Sequence, residues 1–421
     1  MVYPGATHTR LEHSIGCVHI ATRLLELLLT RNAARGEVPL RTAFKLDEGA
    51  GSRAMKILRL AALLHDVGHP AFSHSGEELS PIDAATGKRT DHEQMTARII
   101  RESEIREVIE QNYSSHGITV EEVIAVATKP SLARRTGSEG WISFLNGLLA
   151  GELGADRIDY LLRDAHHSGQ PVGVFDHERL LPSIALVEAP EEAEPGFRLA
   201  LDEGGWLVAE QMIVSRYLMY VSLYFHKTKR IYEIHLENFL RKWLDRELGT
   251  PALPWDLDEY LGISDSRIIA AIAMAARDSN HPAHLEARAF VDRSHLRLAR
   301  ELVLADNYQV ISSQGLPDRK KPDPKRFDLL ADYIRSMFGN ARLAFDSKGH
   351  PATKQFEPRP DRVIVLLEGQ PRYLPEVSEI MRGMPADIWR GRIYSDKDHR
   401  EDVRSACADF LAANPITEAP R

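Results

Sequence analysis

The chain has 421 residues, 43% hydrophobic and 27% charged, the balance of a folded globular protein of two or three domains at ~150 residues each, and not of a disordered or collagen-like chain. Lys plus Arg number 53 against 61 Asp plus Glu, a formal charge of −8, so nucleic-acid backbones are disfavoured partners outside a local basic pocket. No apolar run reaches the ~18 residues of a spanning helix, the opening MVYPGATHTR lacks a signal-peptide pattern, and Cys17 and Cys407 are too few for a disulfide framework, so a cytoplasmic protein with no membrane contact is expected.

From about Arg10 to about Arg246 the pattern is mostly helical. Leu11, Ile15, Val18, Ala21, Leu25 and Leu28 recur at helical spacing, and Ile20, Leu24 and Leu27 add a second apolar face, which makes this first helix largely buried. Ile57, Leu60, Ala61 and Leu64 repeat the pattern up to Gly68 and Pro70, a stop signal with a steric cause. Further helices are predicted at 92–102, 119–128, 140–150, 152–165 and 205–247. The acidic, proline-rich stretch 188–196 reads as an exposed loop joining two short strands, LPSIALV and FRLALD, a β-hairpin near 183–202. The basic, proline-rich stretch 314–326 reads as a boundary or loop. Beyond it VIVLLEG (363–369) is a strand candidate, while PEVSEIMRGM and HREDVRSACADFL read as helices. The expected division is a core over 1–250, a helical extension over 251–313 and a small α/β region over 327–421.

Histidine carries the chemistry. Of 18 histidines, His13, His65, His69, His74 and His92 stand in the first hundred residues beside carboxylates, and His166 and His167 follow. Neighbours on a helix point ~100° apart, so His65 and Asp66 converge on one ion only at a helix end, which Gly68 supplies. Asp156, Tyr160 and Asp164 fall at i, i+4, i+8, one stripe of a helix whose flanks are apolar and whose carboxylates need partners if buried. Asp159 and Arg163, at i, i+4, read as a plain surface pair. Arg216, Tyr220, Tyr224 and Lys227 fall on one continuous face, which periodicity alone allows to be either a phosphate grip or a partly exposed amphipathic helix.

The motifs PGATHTRLEHSIG, LLHDVGHPAFSHSGE, DHEQ, ADRIDYLLRDAHHSG and YFHK together resemble the HD-domain metal-dependent phosphohydrolases, in particular their deoxynucleoside triphosphate triphosphohydrolase branch, over roughly residues 2–240. The resemblance implies a mainly α fold, an HD helical core with an inserted β-hairpin and a smaller α/β C-terminal region. It implies that His13, His65, Asp66 and Asp156 bind one divalent metal. Their nitrogen and oxygen donors do not distinguish Mn, Fe, Mg, Ni, Co or Zn, and neither cysteine is among them. It further implies acid–base work by His74, Glu77 and His92. Substrate contacts fall to Arg10, His69, Arg157, Tyr160, Asp164, Arg216, Tyr220, Tyr224 and Lys227.

The function so implied is hydrolysis of a dNTP to deoxynucleoside and triphosphate, by metal-activated water attacking the α-phosphate. The expected assembly is a homo-oligomer with a nucleotide as its partner. Two alternatives stay open: a nucleotide phosphomonoesterase or nucleic-acid phosphodiesterase of the same superfamily, and a non-catalytic nucleotide-binding module. The chain departs from the family in starting at Met1-Val2-Tyr3-Pro4, without the DPIHG-like stretch and helix that usually precede PGATHTR, so the expectation for sugar selectivity and allostery rests on fewer residues than that for the metal.

Overall fold

The computed structural model describes residues 2–83, 86–129, 139–188, 197–303, 325–351, 363–384 and 387–414. The fold is mainly helical, as expected, and short-range capping chemistry sets where several of its helices begin. Helix α1 (Arg10–Thr30) opens with a capping box in which Thr9 and Glu12 satisfy each other's backbone N–H. Its buried row runs from His13 through Cys17 to Ile20, Ala21, Leu24, Leu25 and Leu28, a polar head on an apolar stem. After the single turn α2 (Leu40–Ala43), α3 (Glu48–Leu64) packs its own buried face, Ala54, Ile57, Leu58, Ala61 and Ala62, against that stem. Leu24, Leu25, Ile57 and Leu58 are at most 1% exposed, and each contributes roughly 1.5–3 kcal/mol of burial.

The turn α4 (His74–Glu77) leads to α5 (His92–Glu102), which starts at a second capping box, Asp91 with Gln94. Helix α6 (Glu104–Tyr113) follows, and α7 (Val120–Ala127) starts at a third, Thr119 with Glu122. Helices α8 (Glu139–Ala150) and α9 (Ala155–Ser168) complete the bundle around the first core. Helix α9 begins three residues later than predicted because a two-glycine turn precedes it. A Cβ at Gly151 would meet the Gly147 carbonyl oxygen at 2.3 Å, and one at Gly154 would meet that of Leu149 at 2.4 Å.

The short helix α10 (His177–Ser183) feeds the hairpin of β1 (Ile184–Glu188) and β2 (Phe197–Leu201), with Ile184 opposite Leu201. The predicted helix 205–247 is not continuous. It is α11 (Trp206–Met219), a π-helical turn at Tyr220–Tyr224, a break at Phe225 and His226, and then α12 (Lys227–Leu248). The His226 ring caps the new helix by accepting from the Thr228 N–H at 3.3 Å. Amphipathic periodicity runs through such a break undisturbed, so the sequence pattern does not register it.

The C-terminal strands are β3 (Arg297–Val303), β4 (Leu343–Pro351), β5 (Ile364–Leu367), β6 (Gln370–Tyr373) and β7 (Asp387–Ser395). The hairpin is not isolated: β2 pairs in parallel with β5, giving a four-stranded sheet in the order β1-β2-β5-β6. A second sheet has the order β3-β7-β4. Its central strand reaches the helix break, where Arg392 donates to the Phe225 carbonyl at 2.5 Å and the Tyr394 hydroxyl to the Lys227 carbonyl at 2.9 Å. The predicted final helix is Arg400–Ala413, and PEVSEIMRGM forms two short turns, Leu374–Val377 and Glu379–Gly383. Residues 189–196 of the predicted acidic loop and 314–324 of the predicted boundary lie outside the described residues. Among the described residues no helix is long and apolar enough to cross a membrane.

The turn after α3 is pinned to α5. Thr96 Oγ1 donates to the His65 carbonyl at 3.0 Å and accepts from the Gly68 N–H at 2.9 Å, and the Tyr260 hydroxyl donates to the Gly68 carbonyl at 2.8 Å. A Cβ at Gly68 would stand 2.1 Å from the Thr96 nitrogen and 2.2 Å from the His92 carbonyl oxygen, both backbone atoms. Gly68→Ala should therefore cost about 3 kcal/mol, the upper end of overpacking penalties. The check is urea unfolding, with a lower midpoint at an unchanged slope.

Candidate metal centre and active site

Three helices bring the first cluster together. His13 comes from the first turn of α1, His65 and Asp66 from the end of α3, and Asp156 from the first turn of α9. His13 Nε2 lies 3.2 Å from Asp156 Oδ1 and 3.7 Å from Asp66 Oδ2, while His65 Nε2 lies 3.5 Å from Asp66 Oδ1 and 3.7 Å from Asp156 Oδ1. The four side chains named by the motifs thus face one point.

Each ring's second nitrogen is already committed. His13 Nδ1 bonds Asp159 Oδ2 at 2.7 Å and His65 Nδ1 bonds the Ala62 carbonyl at 2.9 Å. A proton on each Nδ1 leaves both Nε2 lone pairs directed at the carboxylates, the arrangement a metal-binding histidine needs. His65 Nε2 is buried and has no hydrogen-bond partner among the described residues. That orphaned acceptor, the two facing carboxylates and the committed Nδ1 atoms fit a divalent cation.

The electrostatics agree. Burial alone would lower the His13 imidazole, but its hydrogen bonds with Asp156 and Asp159 more than reverse this and lift it to about 12. Burial pushes the Asp156 carboxyl up, and His13 and His65 hold it well below the usual carboxylate range. Asp66 is likewise raised by burial and lowered, on balance, by His65 and Arg10. Arg10 forms an ion pair with Asp66 and donates to Ser73 Oγ. Carboxylates that bind a proton this tightly on a ring nitrogen also favour a cation.

Asp159 corrects the sequence reading. The i, i+4 pair with Arg163 is present, bidentate at 2.8 and 2.9 Å. Yet Asp159 is only 6% exposed and orients His13 as well. Gly16 makes room for it: a Cβ there would stand 1.8 Å from Asp159 Oδ1. Cys17, left out of the ligand set by the sequence reading, packs on the His13 ring with Sγ 3.6 Å from both nitrogens, within the same cluster. Burial pushes its thiol up to about 12.

A second cluster adjoins the first through His69, whose Nε2 lies 3.6 Å from Asp66 Oδ1. The His69 ring stacks on His92 at 4.0 Å between centroids and meets His74 edge-on at 4.9 Å. Glu77 bridges the other two, with Oε2 2.9 Å from His74 Nδ1 and Oε1 2.7 Å from His92 Nδ1, and it also accepts from the His92 N–H. Phe72 and Ser73, with φ of 58° and 57°, turn the chain sharply into this site. Burial, then the Arg10 charge, lower the His69 imidazole to about 2, so it is neutral. His74 is the open member, its side chain 75% exposed.

Of the residues expected at substrate, Tyr160, Asp164, Arg216, Tyr220 and Tyr224 come together. The Arg216 guanidinium lies 5.6 Å from the Tyr220 ring centroid, and Tyr224 packs on Tyr220 at 4.9 Å and Tyr160 at 6.4 Å. The Tyr224 hydroxyl donates to Asp164 Oδ2 at 2.5 Å. His8, which the sequence reading missed, holds the other oxygen of Asp164 at 2.8 Å. Arg157 is buried beside this group and faces Glu152, also missed, at 2.8 Å. Lys227 is not on the stripe: it is exposed and begins the separate helix α12 beyond the break.

Comparison with known proteins bears on this geometry. The model of the HD domain matches residues 10–134, and that of the HD associated region matches 175–296. The chain carries an HD domain followed by an HD associated region. The first match contains His13, His65, Asp66, His69, His74, Glu77 and His92, the second contains Arg216, Tyr220, Tyr224 and Lys227, and Asp156 and Arg157 fall between them. Uncharacterized protein MJ1154 of Methanocaldococcus jannaschii is 28% identical over 275 residues, 65% of this chain and 47% of that relative. The deoxynucleoside triphosphate triphosphohydrolase SAMHD1 of Gallus gallus is 28% identical over 259 residues, 57% of this chain and 39% of that protein. The match thus spans about half, or less, of the length of these curated relatives. The crystal structure of a hypothetical protein from Aquifex aeolicus shares the HD-domain chain's fold with a TM-score of 0.70 at 26% identity, over 96% of this chain and 88% of that one.

The Glu77 bridge has a pH signature. Burial lowers the His92 imidazole, and Glu77 more than offsets this, raising it above its usual 6.5. Burial raises Glu77, and its bonds to His74 and His92 hold it far below its usual 4.5. The His92 share of stability is complete below about pH 6.5 and fades as pH rises through the raised folded value. The Glu77 share is present above about pH 4.5 and is lost as pH falls toward the depressed value. His92→Gln should therefore lose most stability between about pH 4.5 and 6.5 and approach the parent at higher pH, in thermal unfolding at fixed ionic strength.

Proposed function

We propose that this site hydrolyses a deoxynucleoside triphosphate to a deoxynucleoside and inorganic triphosphate. The observation that carries the reading is one pair of consecutive residues. Asp156 turns its carboxylate to the two imidazoles, and Arg157 turns its guanidinium toward the pocket of Arg216, Tyr160 and Tyr220. A cation site and a guanidinium pair set side by side suit a chain of phosphates, with the scissile phosphorus at the first and the rest of the chain at the second.

His13, His65, Asp66 and Asp156 would hold a divalent cation, which supplies charge to polarise a phosphate oxygen and to lower the pKa of a water. Arg10, beside Asp66, is the phosphate contact on the α1 side. Arg157 and Arg216 bind the outgoing polyphosphate and stabilise its spreading charge. Asp164, fixed by His8 and Tyr224, offers carboxylate oxygens to a sugar hydroxyl, and the Tyr160 ring lies against the same space. Neutral His69 lines the floor between the two clusters. His74, oriented by Glu77 and open to solvent, delivers the proton to the departing 5′-oxygen, and His92 locks Glu77 in place.

The test separates products as well as rates. Incubation with each dNTP should yield deoxynucleoside and triphosphate; orthophosphate release instead would make the protein a phosphomonoesterase and overturn the reading. Asp66→Ala should lose bound metal and activity together with little change in helical content by circular dichroism. His74→Ala should keep metal and nucleotide binding while kcat falls by ~10²–10⁴, the share of a positioned acid. Arg216→Ala should lower activity on dNTP at least about tenfold and leave a small chromogenic phosphodiester nearly unaffected, because that substrate has no triphosphate tail.

A further inference from the structure

The arginines near the site are of two kinds. Arg163 and Arg230 are committed: each grips a carboxylate with two hydrogen bonds, Asp159 at 2.8 and 2.9 Å and Asp346 at 2.7 and 3.1 Å. Arg157 and Arg216 are not gripped by a carboxylate in this way, although Arg216 also hydrogen-bonds Tyr160 and Tyr220. Arg157 Nη1 stands 2.8 Å from Glu152 Oε1, and Arg216 Nη1 stands 3.7 Å from Glu152 Oε2. These are charge contacts without hydrogen-bond geometry. Arg157 Nη1, Arg216 Nε and Nη1, and Glu152 Oε1 are all buried with no hydrogen-bond partner among the described residues. Glu152 is 6% exposed, Arg157 9% and Arg216 4%, so water does not take up the donors freely. The carboxylate is held there by the turn between α8 and α9, where Gly151 and Gly154 leave no room for a side chain.

A counter-ion meant as a permanent clasp would satisfy the guanidinium edges, as Asp159 and Asp346 do. Glu152 neutralises part of the charge of the pair and leaves the donors unspent. Resting on the polyphosphate reading above, we propose that Glu152 is a built-in competitor of the polyphosphate: it occupies the space between Arg157 and Arg216, repels the bound anion and keeps inorganic triphosphate weakly held. Glu152 is thereby a positioning and specificity residue. It sets how many phosphate charges a ligand must carry to compete with it for the pair.

The test is binding of inorganic tripolyphosphate to the 421-residue chain by calorimetry, at fixed salt and without added divalent metal. Glu152→Gln keeps the size and removes the charge, and should tighten tripolyphosphate at least tenfold, with a matching fall in the inhibition constant of triphosphate in the dNTP assay. Glu152→Asp should stay near the parent. Unchanged or weaker binding by Glu152→Gln, where Arg216→Ala still abolishes it, overturns the competitor role alone and makes Glu152 a structural counter-ion. Tripolyphosphate binding that ignores Arg216→Ala overturns the polyphosphate reading itself. Should Glu152→Gln not fold, the parent protein decides: affinity should climb at least tenfold for each step from orthophosphate to pyrophosphate to tripolyphosphate, and a flat series overturns the proposal.

Discussion

An imidazole buried beside carboxylates can offer a lone pair only if its other nitrogen has a partner of its own, and this constraint organises the centre of the molecule. His13 spends Nδ1 on Asp159 and His65 spends Nδ1 on the Ala62 carbonyl. Asp159 must then be buried, which requires Arg163 to balance it and Gly16 to admit it. The close contact of α1 with α9 follows from that requirement as much as from apolar burial. The cost of taking so many charges out of water is met by hydrogen bonds of stated direction rather than by Coulomb attraction alone.

The same logic is repeated one layer out with a different outcome. Glu77 serves two histidines at once and gains a backbone N–H besides, so the His74, Glu77 and His92 unit is over-determined. The Arg157, Arg216 and Glu152 group is under-determined, with charges near each other and directional bonds unmade. One cluster is tied by directional hydrogen bonds and the other is held by charge proximity.

Much of this was legible in the sequence, for reasons that differ by element. Helix starts at Thr9, Asp91 and Thr119 are written in residues three positions apart, so the local pattern suffices. His13, His65, Asp66 and Asp156 are singled out by the resemblance of their motifs to the HD-domain phosphohydrolases, and the structure brings their side chains together. Asp159 was misread because its partner Arg163 is adjacent in sequence while His13 is distant. Glu152 gave no signal, since an acid between glycines looks like any exposed turn. The helix break at Phe225 was invisible because its cause is tertiary: Arg392 and Tyr394 bind the carbonyls on either side of it. The pairing of β2 with β5 is a long-range parallel contact, which no local rule specifies.

That break makes the tail part of the pocket. Strand β7 binds the carbonyls of Phe225 and Lys227, one and three residues beyond the π-helical turn that carries Tyr220 and Tyr224. Arg392 is itself tied to Glu301 on β3 and Asp346 on β4, and Asp346 also holds Arg230 of α12. The C-terminal strands and the helix break are therefore joined by side chains from both parts of the chain. A graft of the tail would lose these ties to α12 and to the carbonyls of Phe225 and Lys227 unless Arg392, Tyr394 and Asp346 travelled with it.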